Sequence, residues 1–303
     1  SQNSPFTCLG AWSAGGALNI GRALQAAAGL QNAALTFGGA PPAKTATEEY
    51  DGSSWSSGGN LSSGRYDMGG IGRQNSALAF GGGLPGLTNV TEEYNGASWT
   101  SGGNMIVTRR NLSGAGYQNA GLAMGGFTPT FVSCTEEYNG SSWATGGAMI
   151  NALARVGGTG TQNAALASGG RNPSVKISCN EAYDGTAWTT NNPLNVARGY
   201  LFSSNAGTQY SSVIMGGSTN ATQPVTCVEE WNGDSWAISN NMLSNANYRG
   251  SGAGTSGGAL AIGGYPGKTS IQEYTKTLLS PFTYDAAPST DSWSGGGRLI
   301  TGA

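Results

Sequence analysis

The sequence contains no histidine, few charged residues and no long apolar run. Histidine is the most frequent general base near neutral pH and the most frequent metal ligand, so its absence argues against many enzyme mechanisms and metal sites. Of the 303 residues only 10% are charged, and 14 Lys+Arg against 16 Asp+Glu give a net charge of −2. This balance predicts no nucleic-acid partner, because binding to a phosphate backbone requires a basic surface. Without a run of about 18 apolar residues, the sequence also predicts no membrane insertion.

Glycine is abundant, with 52 residues, and it marks a repeat. A Gly-Gly pair follows a short apolar run six times, and successive pairs are separated by 43, 44, 44, 47 and 47 residues. The other recurring residues are an arginine before each pair, at Arg22, Arg65, Arg109, Arg155, Arg198 and Arg249, and a tryptophan after it, at Trp55, Trp99, Trp143, Trp188 and Trp236. The sixth copy lacks the tryptophan. Six copies of one unit are therefore present.

Each unit contains the signals of four short strands. In the second unit, residues 65–72 are glycine-rich and suit an inner strand, residues 75–82 are apolar and suit a buried strand, and residues 90–94 and 98–103 suit outer strands. The Asn95-Gly96 pair between the two outer strands predicts a tight hairpin turn with positive φ at both residues. Six four-stranded units of about 45 residues predict an all-β fold, a β-propeller.

The order of the repeated residues carries a family resemblance. An arginine, a Gly-Gly pair after an apolar strand, a tyrosine and then a tryptophan resemble the kelch repeat, the type of blade found in galactose oxidase, over residues 6 to 275. The segments "EEYNGSSW" and "GTQNAALA" are similar to repeats of kelch-like proteins encoded in marine bacteriophage and bacterial genomes. The resemblance implies a protein on a virion or outside the cell.

The two ends of the chain predict how the ring closes. Residues 11–22, "AWSAGGALNIGR", align with residues 54–65, "SWSSGGNLSSGR", which places Trp12 on an outermost strand without inner strands before it. We therefore predict six blades, with the strand of Trp12 completing the sixth and hiding an open edge. Seven blades remain the alternative, because residues 292–299 repeat the pattern once more. The predicted domains are a propeller over residues 1–275 and a tail over 276–303 that adds a strand or forms a contact between subunits of a homo-oligomer.

The carboxylates and arginines of the repeat are interpreted as structural. All ten glutamates lie in the repeated outer-strand motif, which a single active site does not require. Adjacent strand residues face opposite sides, so one glutamate of each pair should meet the arginine or backbone amides and the other solvent. Only Asp67, Asp285 and Asp291 are carboxylates outside this motif and its turns, and Asp67 is the one whose mutation would test for an enzyme. The six arginines could ring a channel mouth and bind an anion, but their regular recurrence favours a bracing role.

Disulfide bonds are not predicted. Cys134, Cys179 and Cys227 share one repeat position, and equivalent positions of neighbouring blades lie too far apart to be bridged. Cys8 has no evident partner.

Sequence variation between units is concentrated in the loops that join strands 2 to 3 and strands 4 to 1, which emerge on one face of a propeller. Loops on a rigid scaffold often carry recognition. Aromatic residues that break the repeat are candidate binding residues, since exposed rings stack on sugars or on partner surfaces. These are Phe127, Phe131 and Tyr265 in the 2-to-3 loops, and Tyr66, Tyr200 and Tyr248 beside the repeat arginines.

These observations predict a non-enzymatic binding or structural propeller that is extracellular or on a virion surface, with no catalytic residue, metal or cofactor. A phage decoration, tail-fibre or host-recognition component would fit, with virion or cell-surface proteins and glycans as partners. One alternative is a secreted bacterial protein that resembles a lectin or adhesin. Another is an enzyme like galactose oxidase or a sialidase, although the copper site of galactose oxidase requires histidines that this sequence lacks.

Overall fold

The computed structural model describes residues 10–276, apart from residues 85, 204, 220–223 and 245–247. These residues lie in one compact unit, Leu9–Thr277; a second unit, formed by residues 1–8 and 278–303, falls outside the described part. Of the predicted tail, residues 276–303, only Lys276 is among the residues described. Cys8 lies outside them. Among the residues described, the regular secondary structure is all β, and no helix could cross a membrane.

The strands form six four-stranded antiparallel sheets. The first strand of the chain, β1 (Ala11–Ala14), belongs to the sixth of these sheets. Blade one contains β2 (Ala26–Leu30), β3 (Ala33–Phe37), β4 (Thr47–Tyr50) and β5 (Trp55–Ser57). Blade two contains β6 (Gly69–Arg73), β7 (Ser76–Phe80), the short hairpin of β8 (Gly83–Leu84) and β9 (Gly86–Leu87), then β10 (Thr91–Tyr94) and β11 (Trp99–Ser101). Blade three contains β12 (Ser113–Tyr117), β13 (Ala120–Met124), β14 (Thr135–Tyr138) and β15 (Trp143–Thr145).

The second half of the chain repeats this order. Blade four contains β16 (Gly157–Thr161), β17 (Ala164–Ser168), β18 (Asn180–Tyr183) and β19 (Trp188–Asn191). Blade five contains β20 (Phe202–Ser203), β21 (Ser212–Met215), β22 (Val228–Trp231) and β23 (Trp236–Ser239). Blade six contains β24 (Ser251–Gly254), β25 (Gly258–Ile262) and β26 (Ile271–Thr275).

The ring closes through the first strand of the chain. In blade six the strand order is β1, β26, β25 and β24, and Trp12 pairs with Tyr274 across β1 and β26. The inner strand β24 also contacts the inner strand β2 of blade one. The predicted six-bladed propeller, with the N-terminal strand completing the last blade, is confirmed, and the seven-bladed alternative is wrong.

Glycines allow the inner strands to approach one another. A Cβ atom added to Gly70 would lie 2.6 Å from the Cβ of Ala26, and one added to Gly158 would lie 2.4 Å from the carbonyl oxygen of Gly114. Both contacts join neighbouring blades and are shorter than any ordinary van der Waals contact. The glycine-rich pattern predicted for the inner strands thus has a packing cause.

The outer hairpin differs from its prediction. Four residues, 95–98, separate the paired Tyr94 and Trp99, and Gly96 has a φ of 91° whereas Asn95 has a negative φ. The side chain of Asn95 instead accepts hydrogen bonds from the amides of Ala97 and Ser98, at 3.0 and 2.9 Å. Asparagine therefore acts through its side chain rather than by adopting a left-handed conformation.

The first glutamate of each pair is buried and satisfied within its own blade. Arginines pair with it in four blades, as Arg22–Glu48, Arg65–Glu92, Arg109–Glu136 and Arg198–Glu229, at 2.5 to 3.2 Å. Blade four has no such arginine, and Asn151 donates to Glu181 at 2.8 Å instead. In blade six the neutral Gln272 occupies the glutamate position and accepts a hydrogen bond from the backbone amide of Leu243. These carboxylates therefore brace the 4-to-1 loops.

The second glutamate joins one blade to the next, contrary to the expectation that it meets only solvent. The hydroxyl of Tyr94 in blade two donates to Glu49 of blade one at 2.5 Å. The same bond joins Tyr50 to Glu273, Tyr138 to Glu93, Tyr183 to Glu137 and Tyr274 to Glu230. At the boundary of blades four and five, donor and acceptor are replaced together, because Ala182 stands at the glutamate position and Trp231 at the tyrosine position.

This environment changes the acidity of the tyrosines. The pKa of four of them is raised to about 12: Tyr50, Tyr94, Tyr138 and Tyr183. Burial is the larger cause, and the hydrogen bond to the carboxylate is the second. The repeat tryptophans pack on the same rings, with the ring centroids of Tyr94 and Trp99 4.9 Å apart. Three of them also donate to a threonine of the preceding blade, as Trp99 to Thr47, Trp143 to Thr91 and Trp188 to Thr135. The repeated outer hairpin is therefore the joint between blades.

The three described cysteines, Cys134, Cys179 and Cys227, are free and half-buried. No disulfide links them, in line with their shared repeat position.

Candidate functional site

Six residues with a left-handed backbone, one per blade, lie at the start of the inner strands. Their φ values are between 54° and 60° although none is glycine; they are Leu24, Asp67, Asn111, Arg155, Tyr200 and Arg249. Asparagine and aspartate tolerate this conformation, whereas for most other residues it costs about 1–2 kcal/mol. All six line one cavity of about 120 Å³ at one end of the central channel, and we call them the mouth ring.

Backbone hydrogen bonds tie the mouth ring from blade to blade. The amides of Asp67, Asn111 and Arg155 each donate at 2.8 Å to the carbonyl oxygen of the ring residue in the preceding blade. The amide of Leu24 donates to the carbonyl oxygen of Arg249 at 2.6 Å, across the junction of blades six and one. The ring side chains are therefore held on a rigid frame, which favours preorganised binding.

The repeat arginines occupy two different settings. Arg22, Arg65, Arg109 and Arg198 are buried against glutamates, whereas Arg155 and Arg249 belong to the mouth ring. The offset from the arginine to the first glycine of the Gly-Gly pair reveals the difference. It is 16 residues in blades one to three and 18 in blade five, but 14 in blades four and six. A common bracing role therefore does not describe Arg155 and Arg249.

Arg155 of blade four reaches Asp67 of blade two. Two parallel contacts join them, Nη1 to Oδ1 at 3.1 Å and Nη2 to Oδ2 at 3.2 Å, so the ion pair is bidentate. Burial raises the pKa of Asp67, although Arg155, Arg110 and Arg249 act in the opposite direction. Asp67 is the carboxylate of the mouth ring and is already engaged by a cation.

Arg249 is surrounded by three of the predicted binding residues. Its guanidinium carbon lies 4.9, 5.3 and 5.5 Å from the ring centroids of Tyr200, Tyr248 and Tyr265. Tyr248 contacts both other rings, with centroid distances of 6.3 Å to Tyr200 and 5.6 Å to Tyr265. Arg155 lies over Tyr200 as well, at 4.1 Å. We call these five residues the tyrosine–arginine cluster.

Phe127 and Phe131 form a second aromatic pair, on blade three, with centroids 5.5 Å apart and edge-to-face geometry. Arg110 lies 5.8 Å from the centre of Phe127, and Arg171 lies 5.4 Å from the centre of Phe131. Tyr66 lies apart from both groups, on blade two, where its backbone pairs with Gly83. The structure thus brings five of the six predicted binding residues into two groups on blades three to six.

Cations outnumber acids on this side of the mouth, and the nearby titratable groups respond to them. Burial raises the pKa of Tyr200, but Arg155, a hydrogen bond from Arg171, and Arg249 outweigh it, so that the pKa falls below its ordinary value. Burial lowers the pKa of Lys176; Tyr200 opposes this shift, while Arg171 and Arg249 add to it. The mouth therefore presents positive potential although the whole chain is slightly acidic.

The opposite end of the channel is smaller. A cavity of about 40 Å³ there is lined by Arg73, Tyr117 and several glycines. The guanidinium carbon of Arg73 lies 5.4 Å from the ring centre of Tyr117. This end exposes one arginine beside one tyrosine, the same residue types as at the mouth. Substitutions here are therefore suitable controls for substitutions at the mouth.

The acidic residues do not form a metal site in the described part of the chain, where no group of three or more His, Cys, Asp or Glu side chains could hold an ion. All ten glutamates accept hydrogen bonds within the repeat. Each is therefore committed to holding blades or loops.

Sequence reasoning singled out the aromatic residues but not their cationic neighbours Arg110, Arg171 and Lys176. Arg110 and Arg171 occupy the two positions that form a backbone bridge within a blade, Arg110 with Phe127 and Arg171 with Ala154. Arginine occurs at each position in only one blade, so no periodic signal marks it. Scanning the chain against protein-family models finds no matching family, and searching the curated proteins finds no match either.

Proposed function

We propose that this protein is a non-enzymatic binding propeller of the kelch-like type, and that its loop face contacts a glycan on an extracellular or virion surface. The observation that carries the proposal is the tyrosine–arginine cluster at the channel mouth. Stacked tyrosines beside arginines supply large, rigid surfaces whose side chains lose little conformational entropy on binding.

The geometry favours recognition over catalysis. A typical glycoside hydrolase would need a carboxylate pair free to act as acid and base or as nucleophile. The glutamates are instead engaged in the joints between blades, and Asp67 is held by Arg155 in a bidentate ion pair. The rigid frame of the mouth ring suits a preformed site.

Placement on a virion or outside the cell rests on the resemblance of the repeats to kelch-like proteins of marine phage and bacterial genomes. Fold alone does not determine a ligand. A structural role in which the tail contacts a neighbouring subunit concerns residues 277–303, which lie outside those described.

A glycan array with the purified protein tests the proposal. We expect at least one glycan to bind, and Tyr265→Ser to weaken its binding by about fivefold, since an exposed stacking ring contributes on the order of 1 kcal/mol. Tyr265 is 44% exposed and lies at the mouth.

The matched control is Tyr210→Ser. Tyr210 is 67% exposed and lies in the turn between β20 and β21, on the face opposite the mouth. Equal loss of binding in both variants, or catalytic turnover of an array glycan that Asp67→Asn abolishes, would overturn the proposal.

A further inference from the structure

The mouth ring carries more positive charge than the acids around it can neutralise. Arg155 is paired with Asp67, but Arg249 has no carboxylate within ion-pair distance among the described residues. Arg249 is also partly buried, and Arg155 lies beside the same tyrosine ring. A desolvated cation without a counter-charge gains strongly from an anionic partner.

The cavity lining contains polar atoms that lack partners. Within the described part of the chain, no hydrogen bond satisfies the Arg249 Nε, the Ser251 Oγ or the Asn111 Oδ1, and the Oε1 of Gln25 and the Oδ1 of Asn205 are in the same situation. Buried polar groups are rarely left without a partner. Arg249 and Ser251 carry donors, whereas the amide oxygens are acceptors, so the lining of the cavity is polar and holds groups of both kinds.

The size of the cavity limits what can enter. About 120 Å³ is room for several waters or one compact oxyanion. The rings of Tyr248 and Tyr265 lie next to Arg249 and offer an apolar surface beside the cavity. A sugar ring can stack there while its charged group enters the mouth.

We infer that the mouth binds the oxyanion of an acidic saccharide, a carboxylate or a sulfate ester, at Arg249 and Arg155, with the sugar against Tyr248 and Tyr265. This inference rests on the proposed glycan-binding function and names the class of glycan. Arg249 is the principal binding residue, because Arg155 already shares its charge with Asp67.

Calorimetric titration with three tetrasaccharides tests the inference. Tetragalacturonate carries carboxylates, a κ-carrageenan tetrasaccharide carries sulfate esters, and cellotetraose is neutral. We expect one or both charged sugars to bind at least about tenfold more tightly than cellotetraose, and that preference to shrink as ionic strength rises from about 0.05 to about 0.5 M. The charged sugar that binds identifies the oxyanion.

Three variants locate the site. Arg249→Gln is expected to reduce the affinity for the charged sugar by about tenfold and leave cellotetraose unaffected. The double variant Arg155→Gln/Asp67→Asn removes both charges of the ion pair, so it leaves no buried carboxylate without a cation. It should also weaken the binding of the charged sugar. Arg73→Gln, at the other end of the channel, should change nothing. The melting temperature of each variant shows that the fold is kept.

The outcomes separate this inference from the function on which it rests. If cellotetraose binds as tightly as the charged sugars and Tyr265→Ser weakens it while Arg249→Gln does not, glycan binding stands and the oxyanion site is refuted. If the charged sugars bind but neither variant alters the affinity, the oxyanion site is refuted and glycan binding lies away from the tyrosine–arginine cluster, which removes the observation that carries the proposed function. If none of the three sugars binds, the oxyanion site is refuted, and the array alone decides on glycan binding.

Discussion

Removing a single hydroxyl group at a joint between blades should cost measurable stability. Tyr94→Phe deletes the donor of the 2.5 Å bond to Glu49 and the acceptor of a longer bond, at 3.3 Å, from the amide of Gly59. Hydrogen bonds to a charged group contribute about 1.5–3 kcal/mol. Because Glu49 is half-buried and partly screened, we expect a loss of about 2 kcal/mol. This corresponds to a melting temperature lower by roughly 4–8 °C.

Urea denaturation of a double-mutant cycle isolates the bond. The cycle combines Tyr94→Phe with Glu49→Ala, and we expect a coupling free energy of at least about 1 kcal/mol. Tyr210→Phe is the matched control, because that exposed hydroxyl lies away from any joint, and it should cost nothing measurable. A coupling energy near zero, or equal losses for Tyr94→Phe and Tyr210→Phe, would refute the role assigned to the second glutamate.

Further predictions concern the buried ion pairs, the closure and the tyrosine titration. Arg65→Leu leaves the buried Glu92 carboxylate without its cation and should cost about 3–5 kcal/mol in urea denaturation, whereas adding Glu92→Gln should restore part of the loss. Trp12→Ala removes a ring packed at 5.1 Å on Tyr274 and should lower stability by about 2 kcal/mol; an unchanged melting temperature would contradict closure by the first strand. The pKa of Tyr94 is raised from 10.0 to about 12, so its stabilising contribution is complete below pH 10 and is lost as pH rises through 12. Absorbance titration should show a step near pH 12 that is smaller in Tyr94→Phe, and equal steps would count against the hydrogen bond.

The architecture was predictable because the repeat encodes it many times. Six spaced copies of the Gly-Gly pair fix the number of blades, and the isolated "AWSAGG" segment fixes the closing strand. Each strand follows from local signals, glycine for close approach and alternation for the half-buried strands. The boundaries are less well predicted, because the inner strand expected over residues 65–72 is Gly69–Arg73 and the outermost strand expected over 98–103 is Trp99–Ser101. A single short apolar segment could be a strand or part of a helix, and six copies of the same pattern remove that ambiguity.

The joints between blades were less predictable. Adjacent residues on a strand face opposite sides, and this rule alone sends one of Glu48 and Glu49 to solvent. The neighbouring blade covers that side, because its tyrosine reaches back to the carboxylate. In the sequence, this contact is indicated only where glutamate is replaced by Ala182 and tyrosine by Trp231. The two replacements can be recognised as coupled only once the two positions are known to be in contact.

The candidate site lay partly beyond sequence reasoning for a different reason. The aromatic candidates depart from the repeat, and the structure brings five of them into two groups. Tyr200, Tyr248 and Tyr265 surround Arg249 at the mouth, and Phe127 and Phe131 form a separate pair. Arg155 and Arg249 share their order along the chain with the other four repeat arginines, and only their offset from the Gly-Gly pair distinguishes them. A shift of two residues takes an arginine from a buried ion pair to the channel mouth, and the contact of Arg155 with Asp67 spans 88 residues.

Hydrogen–deuterium exchange of the protein with and without a bound glycan from the array tests the central claim most directly. The account predicts slower exchange in the 2-to-3 and 4-to-1 loops of blades three to six, around Phe127, Tyr200, Tyr248 and Tyr265, with no change in the turns of the opposite face. Protection confined to the opposite face, around Tyr117 and Tyr210, would contradict the assignment of the loop face as the binding surface.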